Sequence, residues 1–392
     1  MISLDVEGKL AILGHAARHD LCGTARVRPR RGRGQPLPHG LYPAVLPDGR
    51  VACLFKVLLT NLCANDCAYC QNRLGGRGRE TSFRPHELAG AFIDLNRRGI
   101  AHGLFLSSGI PGDPDEAMKG IVDTLEILRG KYHYRGYIHA KVLPGASRAA
   151  VERACQLADR ASINLEFPNG ERLSAASSRK DFENGLLSRL AWLGEIHRSG
   201  LLRSGLTTQF VVGAAGESDG EIITTLSNLY AQHSLRRAYF SCFNPLLGTP
   251  WEDRLPASTM REHRLYQADF LHRLYGFTWE EIPLDDNGSL HLDKDPKMAW
   301  ALQHPEGFPI EANSARLEEL LRVPGIGHKS AQRIVALRKE AKLRDLRRLR
   351  HFGVVVSRAA PFLLLDGRRQ AADDYPEQRE QLALWGDFED AG

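Results

Sequence analysis

Three cysteines in a CxxxCxxC spacing, Cys63-Ala-Asn-Asp-Cys67-Ala-Tyr-Cys70, constrain this chain more than any other stretch. They follow an apolar run at 51–59 that reads as a strand buried on both faces, and Thr60-Asn61-Leu62 then leads out of it. The cysteines therefore sit on a loop at the carboxyl end of a strand, where α/β folds place their ligand sites. Zinc takes four ligands, most often as two separated pairs, and no second pair is present. A disulfide set would leave one thiol over and suits an oxidising compartment. Three thiolates can hold three irons of a [4Fe–4S] cluster and leave the fourth iron open to a ligand.

Downstream, apolar runs at 51–59, 102–108, 135–143, 161–167, 206–213 and 237–243 alternate with helical patterns near 85–98, 114–131, 146–159, 180–199, 218–232 and 257–275. Six βα units in series imply a parallel sheet with helices outside, curled by right-handed crossovers into a partial (β/α)6, TIM-like barrel. Such strands should be nearly all apolar. Yet His139 and Lys141 alternate with Ile138, Ala140 and Val142, and Asn164 and Glu166 alternate with Ile163, Leu165 and Phe167. Unpaired buried charge is costly, so these faces either line a cavity or pair internally, Lys to Glu.

Residues 1–50 read as a lead-in. Its stretch 4–21 has helical periodicity and carries His15, His19 and Cys22, either as ligands or as the polar edge of one helix face. Core residues 51–275 are followed by a turn-rich connector, 276–313, in which Asp295-Pro-Lys297 and His304-Pro305 break helices. Residues 314–369 form a small all-α module around Val-Pro324-Gly325-Ile326-Gly327-His-Lys329. Two glycines there let backbone amides turn outward at a helix start and make a nest for phosphate, with Lys329 and Arg333 adding charge. The same pattern also serves a purely structural hairpin. Residues 343–356 read as a degenerate second copy, and 370–392 as an acidic tail.

The formal net charge of +5 is uneven: 26–34 is arginine-rich, 316–369 is basic, and the chain turns acidic after 371. That distribution fits a polyanion partner or a solvated charged face. Charges scattered through the first residues leave no core for a secretory signal, and no apolar run is long enough to span a bilayer. The expectation is a cytoplasmic protein with reduced thiols and no membrane partner. Cys22, Cys53, Cys155 and Cys242 form no further CxxC.

The cysteine loop, with Tyr69 before Cys70, resembles the signature of the radical S-adenosylmethionine (SAM) superfamily. The resemblance implies that Cys63, Cys67 and Cys70 hold a [4Fe–4S] cluster whose open iron chelates SAM. An electron donor would reduce it, yielding a 5′-deoxyadenosyl radical that takes hydrogen from a substrate. Implied SAM contacts are Tyr69; Ser107, Ser108 and Gly109, where the superfamily has a Gly-Gly-Glu-like motif and this chain lacks the Glu; and Asn164 and Glu166, towards the ribose. Gln209, Val211 and Gly213 lie in a segment resembling GxIxG, with Gln209 replacing the first Gly. His139 and Lys141 are placed to meet the SAM carboxylate or the substrate. Asn244-Pro245-Leu-Leu-Gly248-Thr249-Pro250 resembles the P-x-x-GTP turn of several such enzymes.

The second motif resembles the helix–hairpin–helix of DNA repair and replication proteins, which grips the sugar–phosphate backbone without reading sequence. Gly325, Ile326, Gly327, Lys329 and Arg333 would make those contacts. Together the two motifs resemble a family of radical SAM proteins assigned to DNA modification or repair. The matching segments are Leu54 to Asn61, the cysteine loop, Gln71-Asn72-Arg73, Leu165-Glu166-Phe-Pro168, and 322–338. Members of that family are encoded beside a protein with a uracil-DNA-glycosylase-like domain. Gln381-Leu-Ala-Leu384-Trp385 resembles the bacterial sliding-clamp-binding motif, with Trp385 where Phe is usual; alternatively, Leu384 and Trp385 pack back on the barrel. The leading expectation is an enzyme acting on DNA or a DNA lesion. The others are a radical SAM enzyme on RNA or a small molecule, and a non-enzymatic Fe–S DNA-binding protein.

Overall fold

Residues 4–19, 40–45 and 51–369 are described by the computed structural model. The arginine-rich segment 26–34, Cys22, the acidic tail and Gln381–Trp385 lie outside them. Two units are distinguished, 4–217 with Thr224–Ser258, and Ser218–Ile223 with 259–369.

The first unit is built on a seven-stranded sheet whose strands lie in chain order: β1 (Leu41–Val45), β2 (Val51–Leu58), β3 (Gly103–Ser107), β4 (Tyr137–Lys141), β5 (Arg160–Ser162), β6 (Leu206–Val212) and β7 (Leu235–Cys242). From β2 to β7 every neighbouring pair is parallel. Sequence order and parallel pairing require a crossover after each strand, and the sheet curls into a half-barrel. The crossovers carry α2 (Pro85–Arg97), α3 (Pro114–Glu126), α4 (Arg148–Leu157), α5 (Gly170–Ala176), α6 (Ser188–Arg198) and α7 (Asp219–His233). Their starts are legible: Asp113, Ser147 and Asn169 cap α3, α4 and α5 through their side chains. Leu88, Ala89, Phe92 and Ile93 of α2, and Met118, Ile121, Val122 and Leu125 of α3, supply the helical side of the core. Phe55, Phe105, Phe210 and Phe240 supply the sheet side.

Two features of the sheet depart from the sequence reading. The lead-in contains a strand, β1, paired antiparallel to β2 from Leu41 opposite Phe55 to Val45 opposite Val51. Its short run holds Pro43, which is confined to sheet edges and hides the pattern. β5 stops at Ser162 although the apolar run continues to 167; the backbone rejoins the sheet only at a bridge between Glu166 and Phe210. Glu166 sits there at φ 68°, a conformation uncommon for a residue with a side chain.

Upstream of the sheet, α1 (Val6–Ala16) is capped by Asp5 and buries Leu13, Gly14 and Ala16. The second unit contains α8 (Thr259–Tyr275), α9 (Pro296–Gln303), α10 (Leu317–Arg322), α11 (His328–Leu337), α12 (Leu346–Arg350) and α13 (Val356–Ala359), with a two-residue parallel pair, Ile310–Glu311 and Leu363–Leu364. Leu320, Leu321, Val323, Ile326, Ala331, Ile334, Leu346, Leu349 and Val356 share its core. Asp295-Pro296 does not break a helix but starts α9. Asp295 accepts from the Met298 amide at 3.1 Å, and Pro296 occupies the first turn, where a missing N–H costs nothing.

Candidate active site

A cavity of about 230 Å³ opens at the carboxyl ends of the first unit's strands. It is lined by Cys63, Cys67, Tyr69 and Cys70, by Ser107, Ser108 and Gly109, by Lys141, Asn164 and Glu166, and by Gln209 and Val211. Residues more than a hundred apart in sequence thus share one cavity. Asn244 of the 244–250 turn lines it too, as do Lys180 and Cys242, neither of which was singled out from the sequence as a site residue.

The cysteine loop is pinned from several directions. Asp66 accepts from the Ser177 and Ser178 hydroxyls at 2.5 and 2.6 Å and from the Ser178 amide at 3.1 Å. Burial alone would raise its carboxyl, but these donors hold it far below the usual carboxylate range. The amides of Ala64, Ala68 and Trp251 bond the carbonyls of Ile110, Ala176 and Ala68 at 2.6, 2.8 and 3.2 Å. Gly109 is obligatory at this crossing, since a Cβ there would lie 2.1 Å from the Leu62 carbonyl oxygen.

Polar side chains meet inside the cavity. Lys141 Nζ donates to Asn164 Oδ1 at 2.5 Å. Lys180 Nζ lies 3.8 Å from the Glu166 carboxylate and 3.4 Å from the Tyr69 hydroxyl. The pairing is therefore Lys180 with Glu166, not Lys141 with Glu166. Burial would lower the Lys180 ammonium, but the Cys67 and Cys70 thiolates and Glu166 overcome it and push it up. Tyr69 stands edge-on to Phe167, with Trp251 6.2 Å from its ring centre, so aromatic rings back the loop.

Two sequence candidates lie elsewhere. His139 is fully buried below the cavity: its ring stands edge-on to Phe105, Nε2 meets Ser162 Oγ at 2.8 Å, and Nδ1 has no partner among the described residues. Burial, then the Arg160 and Lys141 charges, push its imidazole well below its ordinary value. Alternation set its face correctly but not its depth along the strand. Gly213 does not line the cavity, and its amide is taken by the Glu217 carboxylate.

The donor set fits an iron–sulfur cluster. All three thiols are free and line the one cavity. Burial, followed by repulsion from Cys67, pushes the Cys70 thiol up to about 12. No three His, Cys, Asp or Glu side chains among the described residues are arranged to hold a single ion. A cubane takes one thiolate per iron corner and does not require the sulfurs to meet at one point.

In the second unit the hairpin 323–327 joins α10 to α11. Gly325 has φ 81°, and a Cβ on it would lie 2.5 Å from the Val355 carbonyl oxygen. The Val355 amide bonds the Gly325 carbonyl at 2.9 Å, so this hairpin pairs with the turn between α12 and α13, the second copy expected at 343–356. Gly327 caps α11. Lys329 and Arg333 are exposed, whereas the Ile326 side chain is 1% exposed and packs in the core. Ile326 is thus a packing residue, and only its backbone belongs to the hairpin surface. Its carbonyl accepts from Lys297 Nζ at 2.6 Å, so the connector, in which the sequence showed no chemistry, supports the hairpin.

Residues 57–229 match the family model of the radical SAM superfamily. The chain thus carries a radical SAM domain, and members of that superfamily use a [4Fe–4S] cluster and SAM. Residues 307–356 match the helix-hairpin-helix motif, which points to nucleic-acid binding. No curated protein matches the sequence. Among solved structures the chain is similar to the FeFe-hydrogenase maturase HydG from Carboxydothermus hydrogenoformans, with 15% identity and a TM-score of 0.44 over 55% of this chain and 49% of that one. It is also similar to methylornithine synthase (16%, 0.43, 54% and 58%) and to a radical SAM methyltransferase from Sphaerobacter thermophilus (16%, 0.41, 57% and 64%). The chain spans about half the length of the maturase and less than two thirds of the other two. Among the described residues no helix is long and apolar enough to cross a membrane.

Proposed function

We propose that the protein is a radical SAM enzyme that acts on DNA or a DNA lesion, in repair or modification. The observation that carries this reading is that one chain holds both a three-thiol cavity and a hairpin whose Gly325 backbone is packed too closely for any side chain. Cys63, Cys67 and Cys70 hold the cluster. Tyr69, Ser107, Ser108, Gly109, Asn164, Glu166, Gln209 and Val211 form the SAM pocket, and Lys141 and Lys180 meet its carboxylate or the substrate. When bound, cluster and SAM supply an electron and a hydrogen-abstracting 5′-deoxyadenosyl radical. The chain itself orients both through the pinned cysteine loop and excludes water with Phe167 and Trp251. Gly325, Gly327, Lys329 and Arg333 hold the sugar–phosphate backbone. The partners of this reading are an electron donor, a uracil-DNA-glycosylase-like protein and, through Gln381–Trp385, the sliding clamp. Free thiols at all six described cysteines suit a reducing cytoplasm.

A second reading keeps the enzyme and moves its substrate to RNA or a small molecule; it is favoured by the hairpin and the cavity lying in different units. A non-enzymatic Fe–S DNA-binding protein would need no SAM pocket. Anaerobically reconstituted protein is expected to yield 5′-deoxyadenosine from SAM after reduction, with DNA stimulating turnover more than RNA. Changing Cys63, Cys67 and Cys70 together to Ala should abolish both iron and product. A triple variant that keeps its iron sinks the cluster assignment, and stimulation by RNA alone moves the substrate.

A further inference from the structure

Leu247 is 95% exposed and Leu255 87%, the highest values among the exposed large apolar side chains described. Both ride on the loop that follows β7. Its neck is closed by the Ala257 amide on the Phe243 carbonyl at 2.9 Å. The Thr249 hydroxyl bonds the Leu246 carbonyl at 2.7 Å, and the Gly248 amide bonds Glu252 at 2.6 Å. Leu247 is thus presented by a braced turn, and its neighbour Leu246 lines the cavity. Against the same turn packs Arg77, whose Cδ would lie 3.4 Å from a Cβ on Gly248. Arg77 and Arg79 are exposed and make no ion pair among the described residues. They lie on the segment after Cys70, whose Gln71 and Asn72 line the cavity.

We propose that this rim is a nucleic-acid docking surface of the radical SAM unit, in which Arg77 and Arg79 take backbone phosphates and Leu247 wedges into the base stack so that one nucleotide enters the cavity. The proposal rests on the nucleic-acid reading above. The three cysteines line a cavity and not an outer face, so a base held in a duplex cannot reach them and the target must leave the stack to react. Apolar side chains inserted between base steps are the physical means of holding such a gap open. A protein partner would ask for a broad apolar centre with aromatic anchors. The exposed large apolar side chains described are all Val or Leu, and the residue packed against the turn at Gly248 is an arginine.

The test uses the full chain and a duplex carrying one 2-aminopurine, whose fluorescence rises when it is unstacked. Wild type should raise the signal on binding. Leu247→Ser should fold as wild type, since an exposed side chain contributes little to folding, and should lose most of the rise at protein concentrations that saturate the duplex. Arg77→Ser with Arg79→Ser should lower the slope of log affinity against log salt by about 2. Bound wild type without a rise, or an undiminished rise with Leu247→Ser, overturns the wedge. An unchanged salt slope overturns the phosphate contacts and points the rim towards a protein. In each case, binding that still depends on Gly325 and Gly327 leaves the nucleic-acid reading standing. No binding of DNA or RNA by wild type ends both.

Discussion

The cavity and the hairpin are both loops at the end of a regular element, yet they work with opposite parts of the chain. The cavity presents side chains, and its backbone is held by residues far away in sequence: Ser177 and Ser178 on Asp66, Ile110 on Ala64, Trp251 on Ala68. The hairpin presents backbone, shaped by a glycine at φ 81° pressed against Val355. The difference teaches what each site cannot tolerate. Gly109 apart, the first fails when a side chain is removed, the second when one is added.

The largest effect should come from adding one methyl to the hairpin. Gly325→Ala meets the Val355 carbonyl oxygen at 2.5 Å and must hold a left-handed backbone. A loss of about 3 kcal/mol in the second unit is expected from strain and overlap together. Gly327→Ser should cost little, because φ is −91° there and the nearest atom is the Tyr275 hydroxyl at 3.6 Å. Urea denaturation of the two variants reads the contrast, and equal losses would end the argument that Gly325 alone is pinned.

Removing a side chain from the cavity's support comes next. Asp66→Ala leaves the Ser177 and Ser178 hydroxyls without their acceptor, a cost of about 2 kcal/mol localised to the cysteine loop. The variant should fold but lose iron to a chelator several-fold faster. Unchanged iron release would mean that the Ala176 and Trp251 contacts suffice.

The smallest effect tests whether the hairpin also depends on one side chain. Burial, against the pull of Asp295, pushes the Lys297 ammonium from 10.5 down to about 7. Between those values the unfolded chain holds a proton that the folded chain has released, so stability rises with pH. Relative to Lys297→Met, wild type should gain about 1 kcal/mol per pH unit between pH 7 and 9. A difference that stays flat with pH removes the titration from the account.

Much of this was legible because it is local. Apolar runs marked the parallel strands, periodic apolar faces marked the helices, and the spacing of Cys63, Cys67 and Cys70 marked the loop. Alternation put Lys141, Asn164 and Glu166 on one face, and the structure brings them to one cavity. A glycine pair between two apolar-faced helices announced the hairpin. What escaped was not local. Alternation assigns His139 to the inward face but says nothing of its level, which follows from the register pairing His139 with Arg160 and Lys141 with Ser162. Lys180 opens the stretch read as a helix over 180–199, and Lys297 lies in a segment read as a linker, so neither carried a signal for the site. Ile326 looked like part of a binding loop until the core claimed its side chain. Sequence alone determined which elements form and which residue types they carry, because propensity and periodicity act over a few residues. Tertiary structure decided depth, partner and charge environment, because these depend on strand register and on loops that meet only after the chain has closed on itself.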